Sequence, residues 1–84
     1  MPEKPSISPG QCRAARALLD WSQERLSEES KVGAKTIVDF EQGKRKPFAR
    51  TVRDLRETFE AAGIEFSNGN APGLRFKPRR GAKK

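Results

Sequence analysis

Side chains able to do covalent chemistry are scarce in this sequence of 84 residues: it has no histidine and a single cysteine, Cys12. Without histidine, the Ser–His and Cys–His nucleophile arrangements and the usual metal sites are closed, and a lone cysteine makes no intramolecular disulfide. Carboxylate-only chemistry stays formally open, but none of the 11 Asp and Glu residues form a pair that stands apart from a solvated helix face. The expectation is therefore no enzyme, no cofactor and no metal. What remains is charge. Eighteen Lys and Arg give a net +7 and an isoelectric point near 10.2, a balance suited to a polyanion, with nucleic acid ahead of an anionic membrane surface.

The charge is concentrated. Residues 1–30 carry a net −1 and residues 31–84 a net +8, with basic clusters at Lys44-Arg45-Lys46 and again at Lys77, Arg79, Arg80, Lys83 and Lys84 among Pro and Gly. Residues 77–84 have nothing to bury and are expected to form a disordered basic tail. Only 33% of the chain is apolar, so the core is small and self-association would support it. No apolar run approaches the ~20 residues that cross a bilayer, and Met1-Pro2-Glu3-Lys4-Pro5 offers no signal-peptide core. A cytoplasmic protein with no membrane partner is expected.

The elements that position these charges announce themselves by caps and periodicity. Ser8-Pro9-Gly10-Gln11 reads as a capping box opening a helix over about 9–19, with Cys12, Ala15, Arg16 and Leu19 on one face. Ser22 caps a second, short helix to about Ser30, with Leu26 and Ser30 inward. A third spans about 34–41, with Ile37 and Phe40 inward, and stops at Gln42-Gly43. Val52, Leu55, Phe59 and Ala62 stripe a fourth helix over about 49–62, entered at Phe48 or at a Thr51–Asp54 capping pair and ended by Gly63. Ile64-Glu65-Phe66 and Leu74-Arg75-Phe76 alternate as a short hairpin. Such a hairpin is marginal alone, so Ile64, Phe66, Leu74 and Phe76 are expected to pack at or beside a subunit interface. Phe40, Phe48 and Phe59 look internal, Trp21 suits the core, and Cys12 reads as a small buried residue.

Ser22-Gln23, Leu26, Val32, Thr36-Ile37, Phe40-Glu41-Gln42-Gly43-Lys44-Arg45 and Pro47, taken together, resemble the Cro/cI-like helix-turn-helix family of DNA-binding regulators. The likeness covers residues 9–63. It implies a mainly α, four- to five-helix lambda-repressor-like domain over 8–63, preceded by a flexible arm (1–7) and followed by the hairpin (64–76) and the tail (77–84). It also implies that the third helix enters the major groove of double-stranded DNA.

By position, Ala34, Lys35, Val38 and Asp39 would face base edges. Lys35 could reach guanine O6 and N7, and Asp39 could accept from cytosine N4. Ser22, Gln23, Gly33, Gln42, Lys44, Arg45 and Lys46 would meet phosphates, and Arg16 with Glu41 would form a partly buried ion pair. Three positions depart from the family pattern: Ser27 stands for Ala, Lys31 for a turn Gly, and Gly33 for a Ser or Thr cap. The function implied is a homodimeric, nucleoid-associated repressor or autoregulator on a two-fold operator. The rivals are an antitoxin with operator-binding activity and a non-specific nucleic-acid binder.

Overall fold

The computed structural model describes residues 7–44, 47–67 and 73–76. Four helices, α1 (Pro9–Leu19), α2 (Gln23–Ser30), α3 (Ala34–Glu41) and α4 (Ala49–Ala61), precede a hairpin of β1 (Ile64–Ser67) and β2 (Gly73–Phe76). The mainly helical architecture agrees with the sequence reading. The arm to residue 6 and the tail from residue 77 lie outside the described residues. None of the described helices is long and apolar enough to cross a membrane.

Local chemistry sets the helix ends. The Ser8 hydroxyl accepts from the Gln11 amide while the Gln11 side chain accepts from the Ser8 amide, closing the capping box. Ile7 precedes the cap and Cys12 lies four helical positions in, the spacing of a hydrophobic staple, and both are buried in the core. Ile7 thus belongs to the folded domain rather than to a flexible arm. α4 starts at Phe48, without any side-chain cap, so Thr51 lies inside the helix and caps nothing. Gly43 (φ 70°) and Gly63 (φ 102°) adopt the left-handed backbone that ends α3 and α4.

Leu26, Ile37, Leu55 and Phe59 are fully buried at the centre of the helices. Phe59 stacks on Trp21 and meets Phe66 edge-on, each at 6.1 Å between ring centres. Burying one such ring contributes about 1.5–3 kcal/mol. Trp21 is half-buried, with the Arg25 guanidinium 5.0 Å above its ring.

The hairpin folds back on the chain's own helices. Ile64 pairs with Phe76 and Phe66 with Leu74, and directly opposed residues share a sheet face, so the four apolar side chains lie on one face of the hairpin. Ile64 and Phe66 are buried in the chain's own core and Leu74 packs against it; Phe76 alone is well exposed. The Gln11 side chain donates to the Gly73 carbonyl at 3.0 Å and the Ser67 carbonyl at 3.4 Å, tying the Ser67–Gly73 end of the hairpin to α1. Ile64 and Phe66 are therefore part of this chain's own core, and cutting the chain after Gly63 would open it.

Candidate nucleic-acid interface

α2, its turn and α3 form a two-helix unit braced from within. Lys31 ends α2 in the left-handed region (φ 66°), where the family pattern has glycine. A side chain there costs about 1–2 kcal/mol. Two serines offset the strain: the Ser27 hydroxyl donates to the Val32 carbonyl at 2.6 Å, and the Ser30 hydroxyl accepts from the Val32 amide at 3.1 Å. Ser27 thus has a bonding role in the turn, beyond standing in for alanine by size.

Ile37, Phe40 and Glu41 turn inward from α3. The opposite face carries Ala34, Lys35, Val38 and Asp39, of which Ala34 and Lys35 are exposed and Val38 and Asp39 half-buried. Gly33 provides no side-chain cap, and the first helical bond runs from the Ile37 amide to the Gly33 carbonyl. The amides of Ala34, Lys35 and Thr36 therefore point out of the helix start with its positive dipole end, a seat for an anion. Thr36, exposed in this first turn, is a donor that the sequence reading passed over. Lys35 lies 3.3 Å from Asp39, with its side chain 86% exposed. An exposed i,i+4 pair is worth under about 0.5 kcal/mol, so Lys35 leaves it at little cost.

Behind this face sits a buried carboxylate. Glu41 is 4% exposed, and Arg16 grips it with two bonds of 2.8 Å, Nε to Oε2 and Nη2 to Oε1. Gln23 Nε2 donates to Oε1 at 3.0 Å and the Cys12 thiol to Oε2 at 3.1 Å, while Arg13 donates to the Glu41 backbone carbonyl. Burial works to raise the Glu41 pKa, but the hydrogen bonds from Arg16, Cys12 and Gln23 outweigh it and hold the carboxyl below its usual value. The bond to Glu41 raises Arg16 in turn against the cost of its burial. Burial, reinforced by Glu41, pushes the Cys12 thiol far up, which leaves it an inert proton donor. The expected Arg16–Glu41 pair is therefore present, as the centre of a wider network joining α1 and α2 to the end of α3.

That network takes up one expected phosphate contact in part. One Gln23 amide proton is committed to Glu41, leaving the second for another acceptor. The Ser22 hydroxyl accepts from the Arg25 amide as a cap and keeps its proton to donate. Gln42 and Lys44 are exposed just beyond α3; Arg45 and Lys46 lie outside the described residues. Phe48, expected inside, is 82% exposed at the start of α4, because the helix's apolar stripe begins only at Val52.

No cluster of metal-binding side chains occurs among the described residues. Residues 13–62, more than half of the chain, match the helix-turn-helix family model. No curated protein matches the chain.

Proposed function

The chain belongs to the XRE-type, Cro/cI-like helix-turn-helix family of DNA-binding regulators, and we propose that it is a sequence-specific transcriptional regulator acting as a homodimer on a two-fold operator. The observation that carries this reading is the first turn of α3, exposed and uncapped, on a helix whose far end is anchored to α1 through Arg16 and Glu41.

α3 enters the major groove by that end. Lys35 leaves Asp39 and donates to guanine O6 and N7, Asp39 accepts from cytosine N4, and Ala34 and Val38 touch thymine methyls. The free α3 amides at Gly33 meet phosphate, as do Ser22, the second Gln23 proton, Gln42, Lys44, Arg45 and Lys46. These contacts fix orientation and carry no base information. A symmetric dimer reads two half-sites about one helical turn, or a small multiple, apart.

A footprint on the DNA upstream of its own gene tests the proposal. A discrete protected site with two-fold symmetry is expected; uniform protection that tracks only protein concentration would make this a non-specific binder.

A further inference from the structure

We propose that the outward face of α4 is where a second copy of this chain docks, the two α4 helices lying antiparallel across a two-fold axis. This rests on the homodimer of the preceding section and names its surface.

Arg50, Arg53, Asp54 and Glu57 fall on the side of α4 opposite the buried Val52, Leu55 and Phe59. Their order is unfavourable in a single chain. On this face both arginines precede both acids along the helix, with no acid in the first turn and no base in the last, against the helix dipole. Three other base–acid pairs at i,i+4 close within the chain: Arg25–Glu29 at 2.8 Å, Lys35–Asp39 at 3.3 Å and Arg56–Glu60 at 2.8 Å. Arg50–Asp54 and Arg53–Glu57 share that spacing and order, and among the described residues neither pair forms an ion pair.

An antiparallel copy resolves both features. With the two-fold axis passing between positions 53 and 54, Arg53 faces Asp54 of the second copy and Arg50 faces its Glu57, and by symmetry the reverse holds. Each positive helix start then lies beside Asp54 and Glu57 of the other helix. The same operation carries Phe48, 82% exposed, toward the far end of the second α4. There Trp21, Ala61 and Ala62 form the apolar part of a groove between α2 and α4 whose lining also includes Glu29, Asp54 and Glu57, a seat for an aromatic anchor beside the acids that meet the arginines. The hairpin is the weaker surface, because Ile64 and Phe66 are already used by the core.

The test is sedimentation equilibrium of the full chain without DNA, comparing wild type, Arg53→Glu, Asp54→Arg and an equimolar mixture of the two variants. Each variant alone opposes like charges twice across the axis and should dimerise about tenfold more weakly or worse. The mixture sets a carboxylate against an arginine at both contacts, the introduced Glu against the introduced Arg and the native Asp54 against the native Arg53, and should recover dimer. Variants as dimeric as wild type, as expected if these arginines served DNA phosphate alone, would overturn the surface, and so would a mixture no better than its components. A wild type that stays monomeric would overturn the homodimer itself. Should a charge variant lose helical circular dichroism, Phe48→Ala serves in its place: weakened association supports the surface and unchanged association overturns it.

Discussion

Replacing Arg16 with Met should cost more stability than any surface change, and the structure sets the size of the loss. Removing one partner of a buried ion pair costs about 3–5 kcal/mol because the remaining charge is stranded. Here the Arg16 side chain is 20% exposed, and Gln23 and Cys12 still donate to Glu41. The expected loss is therefore nearer about 2–3 kcal/mol. For a domain of this size each kcal/mol moves Tm by about 4–8 °C, so thermal unfolding followed by circular dichroism should drop on the order of 10–20 °C at pH 7. Changing Glu41 to Met as well removes the stranded charge and should recover most of the loss. The pH dependence supplies a second reading. The Glu41 carboxyl is held below its ordinary 4.5, so its stabilisation is full above that value and is lost as pH falls through the lower, folded-state value. The gap between wild type and variant should accordingly narrow in acid. Equal melting temperatures at pH 7, or a gap that stays constant into acid, would refute the buried pair as the brace of the reading helix.

Lys35→Ala should cost about 1–3 kcal/mol on the preferred site and relax choice at one base position, whereas Lys44→Ala should weaken all duplexes alike and lower the salt slope by about one; equal losses on specific and random duplexes for both variants would reverse that division of roles. Lys31→Gly should relieve the left-handed backbone and stabilise by about 0.5–1 kcal/mol net of the glycine entropy cost, read as a higher urea midpoint, while Ser27→Ala should lower it by about 1 kcal/mol through the unsatisfied Val32 carbonyl. Removing residues 78–84 deletes Arg79, Arg80, Lys83 and Lys84 and should flatten the salt dependence of non-specific binding while leaving the dimer intact; an unchanged salt slope would show that the tail does not meet DNA.

Features set by local rules were legible in the sequence. The capping box at Ser8, the Ser22 cap and the glycine stops at Gly43 and Gly63 depend on neighbours within a few residues, and the helix limits followed from them. Arg16 and Glu41 were placed together by the family likeness, and the α1 periodicity agreed with it by putting a cation on an apolar face, where an unpaired charge is costly. Features set by tertiary direction were not legible. Alternation in the hairpin gave the shared face of Ile64 and Phe66 but could not say whether that face would meet α4 or another chain. Phe48 looked internal by residue type, yet it precedes the first core position of α4 and turns outward. The bond from Gln23 to Glu41 was missed because nothing local shows that its amide lies within reach of that carboxylate. Ser27 and Lys31 read as separate departures from a pattern, whereas the turn couples them, the serine bonding across the strained lysine.

Sequence-specific reading by α3 is the central claim, and selection from a random duplex library followed by sequencing tests it most directly. Wild type should enrich a two-fold symmetric motif, and Lys35→Ala should lose preference at one position in each half-site. A library that shows no enrichment, or a motif that Lys35→Ala leaves untouched, would contradict it.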